Sequence, residues 1–186
     1  MRKDAPGPAP ASMGQTGFTL VETAATLAVL AIMLGLALPG FRGLLERQRA
    51  AAAMHLVGAQ LAQARNTAIT RRMPITLCPS LGEGRCLNGT DWTQGWLLYL
   101  DPARNDQPAS LDEVIADVRH PVHGSVRVLA SPGRLRLRYQ PDGRSGGSNV
   151  TLRVCGPEHL HGEIIVNNTG RVRTRPAAPS TPCDPQ

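Results

Sequence analysis

Aromatic residues are scarce in this chain. Two tryptophans, two tyrosines and two phenylalanines are all that its 186 residues carry. Trp92, Trp96, Tyr99 and Tyr139 lie in or beside segments with strand character, where core packing accounts for them. That leaves no platform of exposed rings on which unstacked bases could lie. Lysine is nearly absent too, since every basic residue after Lys3 is arginine. No C-x-x-C or Cys/His pair has the spacing of a structural zinc site, and His159 and His161, two apart in an expected turn, read as exposed side chains. The glycines at 146 and 147 lack the G-x-x-x-x-G-K-[ST] pattern, which removes a phosphate-cradling P-loop. No period of about 20 to 50 residues marks a repeat array. No nucleophile–base set has a recognisable context, so neither an enzyme nor a cofactor or metal is expected.

What the chain does have is one long apolar run. Phe18 to Leu38 carries a single charge, Glu22. At ~1.5 Å per residue an α-helix of this length spans roughly 30 Å, the thickness of a bilayer core. A carboxylate inside such a segment is costly unless paired. The plain reading is an anchor whose one acid sits near the headgroups. Residues 1–16 are polar and Pro-rich, so the apolar run follows them rather than forming their core, unlike a secretory signal peptide. Arg2 and Lys3 favour a cytoplasmic N-terminus and an exported body. Gly35 and Pro39 are breakers, and they predict a bend near Leu36 to Pro39 or mark the membrane exit.

Gly17-Phe18-Thr19-Leu20-Val21-Glu22, followed at once by that helix, resembles the processing site of type IV prepilins and type II secretion pseudopilins. The resemblance implies cleavage by a prepilin peptidase between Gly17 and Phe18 and methylation of Phe18. It also implies that Glu22 pairs with the N-terminal amine of a neighbouring subunit during assembly. The organisation is then a leader over 1–17, a transmembrane and assembly helix over 18–40, an amphipathic helix half over 41–72 and a head over 73–186. The protein would be single-pass in a bacterial inner membrane, with its head in the periplasm and other pilins or pseudopilins as partners.

From Phe41 to about Arg72 the helical pattern continues in water-compatible form. Leu45, Met54, Leu56, Leu61, Ala64, Ala68 and Ile69 recur at three- and four-residue steps and form one apolar stripe. The residues after Pro74 read as short strands set off by Gly, Pro, Asn and Asp: 75–78, 96–100, 113–118, 125–129, 134–139, 149–154 and 163–166. In 134–139, Leu135, Leu137 and Tyr139 alternate with Arg134, Arg136 and Arg138, the period of a half-buried strand with one charged face. The expected fold is α+β, with a long N-terminal helix packed on an antiparallel β-sheet head. Four cysteines on an oxidising side of a membrane suggest disulfides. Of three connectivities, Cys78–Cys86, closing a small loop, and Cys155–Cys183, stapling the tail to a strand, are favoured.

Charge is unevenly spread over this head. Acids dominate from Glu83 to Asp117, and arginines dominate beyond Arg119, although the whole chain balances at +6. Arginine suits bidentate contact with phosphate, and a basic face is the electrostatic footprint of a nucleic-acid partner. The bland alternative is that arginines solubilise the outer face of the strands. In Gly170-Arg171-Val172-Arg173-Thr174-Arg175 an extended backbone would project three arginines on one side at ~6.6 Å intervals. That is close to ~7 Å, twice the axial step of about 3.4 Å per phosphate of one DNA strand. Asn167-Asn168-Thr169-Gly170 supplies a turn to expose them.

This C-terminal G-R-x-R, with the anchor, the helix and the Pro141-Asp142-Gly143-Arg144 turn, resembles the GspH/FimT group, and within it the minor pilins that bind DNA during natural transformation. The resemblance implies that Arg171 and Arg173 contact DNA and that Gly170 shapes the loop. Spacing adds Arg175, and the alternating segment offers Arg134, Arg136 and Arg138 as a secondary basic face. Such binding would be dominated by phosphate charge, with little sequence preference. The competing expectation is a type II secretion pseudopilin with a purely structural role.

Overall fold

The computed structural model describes Gly17, residues 19–146 and residues 150–183, and the chain divides into two compact units, Met1–Phe41 and Arg42–Gln186. Helix α1 runs Leu20–Arg71. Its N-terminal part is long and apolar enough to cross a membrane, and the large side chains from Leu20 to Leu38 are exposed. Helical backbone continues through Gly35 and Pro39, so no break accompanies the expected bend. A proline deletes one rung of the hydrogen-bond ladder and leaves the flanking rungs in place.

In the second unit the buried face of α1 is Ala50, Ala53, Val57, Leu61, Ala64 and Ala68. These recur at steps of three and four, as an amphipathic helix requires. The larger residues expected to lead the stripe are displaced: Met54 and Leu56 are only partly buried and Ile69 is exposed. Alanine at the contact lets the helix axis approach closely, and the bulkier side chains fill the flanks. The helix ends where Arg72 turns left-handed (φ 51°) and the Met73 amide donates back to the Ala68 carbonyl at 3.3 Å. That is a Schellman-type stop, with Pro74 preventing continuation.

Among the described residues eight strands follow: β1 Ile75–Pro79, β2 Gly95–Leu100, β3 Val114–Arg119, β4 Arg127–Ala130, β5 Leu137–Tyr139, β6 Val150–Cys155, β7 Leu160–Val166 and β8 Val172–Pro176. They form two antiparallel four-stranded sheets, β3-β2-β1-β5 and β4-β6-β7-β8, rather than one continuous sheet. One buried cluster draws on α1, β1, β2 and the β4–β7 strands, with Trp92 and Trp96 at its largest positions. The other face of β1 and β2 is covered as well, by Cys78, Cys86, Leu97, Tyr99 and Val114. Burial on both faces explains why β1 and β2 read as unbroken apolar runs. Disulfides join Cys78 to Cys86, with Cα atoms 5.4 Å apart, and Cys155 to Cys183, 5.8 Å apart. The first closes the loop after β1 and the second ties the tail to the end of β6.

Candidate nucleic-acid interface

β7 and β8 form a hairpin at one edge of their sheet. Ile165 faces Arg173 and Glu163 faces Arg175 across the ladder. The turn between them is built by Asn167, whose Oδ1 accepts from the Thr169 hydroxyl at 2.7 Å and the Arg171 amide at 3.0 Å. Gly170 closes it, with its amide 2.8 Å from the Asn167 carbonyl and φ at +75°. A Cβ on Gly170 would lie 1.9 Å from the Gly143 carbonyl oxygen and 3.2 Å from the Tyr139 ring. Only glycine meets both demands.

That close approach docks the hairpin on the turn between β5 and β6. Ser145 donates its amide to Asn168 O at 3.2 Å and its hydroxyl to Asn167 O at 2.8 Å. Arg65 reaches from α1 to both turns, donating through Nε to Gly143 O at 3.0 Å and through Nη2 to Thr169 O at 3.4 Å. Nothing in the sequence pattern singled out Arg65, because its partners lie 78 and 104 residues away.

The expected arginines meet different fates. Arg171 and Arg173 are exposed, and neither guanidinium has an ion-pair partner among the described residues. Arg175 projects on the same side but is held by Glu163, with Nε at 3.2 Å from Oε2. Arg153, one strand further in, also approaches Glu163, at 3.5 Å.

Arg134, Arg136 and Arg138 do not make a free basic face. Strand β5 is only three residues long, so Arg134 sits before it, exposed. Arg136 pairs with Asp106. Arg138 donates through Nε to Asp101 at 2.6 Å, and that carboxylate is 2 % exposed and also accepts from the Thr76 hydroxyl and the Asn105 amide. β5 borders β1 at the end of its sheet, and the loop after β2 brings its acids across to meet these side chains. The two tracts of opposite charge seen in the sequence therefore partly cancel inside the fold.

A family model described as type II transport protein GspH matches residues 53–170, well over half of the chain. The chain belongs to the GspH family. No curated protein sequence matches it. Among solved structures it is similar to the type IV minor pilin FimU of Pseudomonas aeruginosa, at 17% identity, over 70% of this chain and 91% of that one, with a TM-score of 0.52. It is also similar to the minor pseudopilin EpsH from the type 2 secretion system of Vibrio cholerae, at 11% identity, 69% and 97% coverage and a TM-score of 0.47. By its family this chain is a type IV pilin-like minor pilin or pseudopilin, and the fold it shares with FimU agrees. The matched region runs from within α1 to Gly170 and stops before Arg171 and β8.

At the other end of this GspH-family chain, Thr19 caps α1, its hydroxyl accepting the Glu22 amide at 3.3 Å. Thr19 and Glu22 have the spacing of a capping box, and a carboxylate in the first turn is favoured by the helix dipole. Glu22 therefore has a local role besides any intersubunit one. Gly17 is exposed, and Phe18 and residues 1–16, the rest of the expected leader, lie outside the described residues.

Proposed function

We propose that this chain is a minor type IV pilin that holds extracellular DNA electrostatically on the β7–β8 hairpin for uptake in natural transformation. One observation carries the reading. Of the arginines expected to contact DNA at and after the hairpin turn, Arg171 and Arg173 stand exposed with no acid paired to them among the described residues, while Arg175 is already engaged. A protein that solubilised itself with arginine would have no need to hold one of them against a turn fixed by Gly170, Asn167 and Arg65 and the next on the strand that leaves it. All four aromatic rings of the head are buried, so phosphate charge supplies the attraction and bases are not read. Two contacts on one head bind weakly, and several heads displayed together raise the effective affinity.

The reading includes the life history of the chain. A prepilin peptidase cuts between Gly17 and Phe18, Phe18 is methylated, and the apolar helix waits in the inner membrane with the head in the periplasm. Glu22 then pairs with a neighbouring subunit's amine as the filament grows. A second reading, a pseudopilin with no DNA partner, is favoured by the family description itself, type II transport.

The test is DNA binding by the full-length protein in neutral detergent, titrated with salt. The intact protein should bind with an affinity that falls steeply as salt rises. The Arg171→Ala/Arg173→Ala variant, folded by circular dichroism, should bind at least tenfold more weakly, with a salt slope shallower by about 2. Absence of binding by the intact protein at low salt would transfer the chain to the pseudopilin reading.

A further inference from the structure

The β5–β6 turn carries an arginine that the hairpin reading does not use. Arg144 is exposed, and its guanidinium has no hydrogen-bond or ion-pair partner among the described residues. Its backbone, by contrast, is fixed. The Arg144 amide donates to Asp142 Oδ1 at 3.0 Å, its carbonyl accepts from the Gln140 amide at 2.7 Å, and Gly143 beneath it is clamped by Arg65. The next residue, Ser145, is the one hydrogen-bonded to Asn167 and Asn168. Asn167 in turn pairs with Arg171, whose carbonyl accepts the Asn167 amide at 3.3 Å. Arg144 and Arg171 therefore stand on two turns locked together.

Arg144, Gln140, Gly146 and Asn168 line one open cleft of 340 Å³. Gln140 also accepts through Oε1 from Arg104 Nη2 at 3.2 Å. The one acid on this tip is Asp142, whose carboxylate serves the turn's own backbone.

We infer that Arg144 is a third phosphate-contacting residue of the same site, so that a bound DNA strand runs from β8 across the docked turn instead of along β8 alone. The inference rests on the DNA reading proposed above. It accounts for the docking itself: a hairpin that bound DNA with Arg171 and Arg173 only would not need its turn anchored to another arginine-bearing turn. It also replaces Arg175, which the spacing of β8 offers as third contact and Glu163 withholds. Asn168 and Gln140 line the cleft beside Arg144.

The experiment compares full-length protein and single variants in neutral detergent, binding a fluorescent duplex of about 30 base pairs over a range of salt. Arg144→Ala should weaken binding roughly five- to tenfold at low salt and make the salt slope shallower by about 1. Arg144→Lys should restore most of both. Arg127→Ala removes the same charge from β4, whose Arg127 lies beside Cys155 at the end of the sheet away from the hairpin turn, and should bind as the intact protein does.

If Arg144→Ala binds normally while Arg171→Ala/Arg173→Ala fails, the DNA reading stands and this inference is overturned. Equal losses in Arg144→Ala and Arg127→Ala would overturn it too, because bulk charge would then explain both. If the double variant retains full affinity, the hairpin site and its extension fall together.

Discussion

Glu163 and Arg175 face each other across the β7–β8 ladder, and the carboxylate that holds Arg175 is itself nearly buried, at 9 % exposure. The pair removes one of the three cations at alternate positions 171, 173 and 175. Neutralising the acid should return it. Glu163→Gln is expected to tighten DNA binding several-fold and to steepen the salt slope by about 1, as one more phosphate contact becomes possible. Arg175→Ala should change binding far less than Arg171→Ala or Arg173→Ala. Fluorescence anisotropy over a salt series checks both, and an unchanged Glu163→Gln would mean that Arg175 is unsuited to DNA for some reason other than this pair.

Gly170 tests the scaffold rather than the charge. Alanine there must adopt φ +75° and meet the Gly143 carbonyl at 1.9 Å. Either the turn undocks or strain is retained, at a cost of about 2 kcal/mol or more. Gly170→Ala should lower the midpoint of urea unfolding and weaken DNA binding while both arginines are still present. Normal binding in a destabilised variant would show that the docked geometry is dispensable for the contact.

The Asp101–Arg138 pair should matter for stability and not for DNA. Removing one member of a buried ion pair strands the other charge, which typically costs about 3 kcal/mol or more. Thr76 and the Asn105 amide still serve Asp101, so Arg138→Ala belongs at the low end of that range. The folded fraction should bind DNA as the intact protein does. A large loss of binding in folded Arg138→Ala would restore this arginine to the interface.

Helix termination offers a stabilising change. Arg72 is a non-glycine residue in left-handed conformation, with φ 51°, which costs roughly 1 kcal/mol relative to glycine. Arg72→Gly should raise unfolding stability by up to about that amount, with no effect on binding.

How far the sequence carries depends on how local each signal is. The long helix, its stop before Pro74 and the strands 75–78 and 96–100 were legible because apolar runs are bounded by residues that block continuation. Both cysteine pairings followed from loop closure and tail stapling. The alanine contact face of α1 is less visible in the pattern, since alanine is apolar but small and the larger Met54 and Leu56 dominate the apolar stripe. In 134–139 the strand is shorter than the pattern, because an arginine–leucine alternation has the period of a strand whether or not a neighbour pairs with it. Its pairing begins only at Leu137. Least legible was the state of each arginine. Arg138 and Arg173 look alike in sequence, and only the loop bearing Asp101 and the edge position of β8 separate a neutralised cation from a free one.

Tyrosine ionisation gives the last prediction, with a definite sign. Burial and the neighbouring Asp101 carboxylate push the Tyr99 hydroxyl up from the ordinary 10 to about 12, and burial pushes Tyr139 higher still. Both side chains are fully enclosed, and they are the only tyrosines in the chain. In the unfolded chain each loses its proton near pH 10, while the folded head keeps both. Stability from this source is therefore complete below about pH 10 and is lost as pH rises toward the folded values, by about 1.4 kcal/mol per pH unit for each tyrosine. Two measurements follow. Absorbance at about 295 nm should show no tyrosinate in the folded protein at pH 10.5, where the urea-unfolded chain is largely ionised. Urea midpoints should hold steady from about pH 8 to 9.5 and fall beyond pH 10. Ordinary titration of either ring in the folded protein would place it in contact with solvent, and would reopen the head's aromatic rings as a stacking surface for bases.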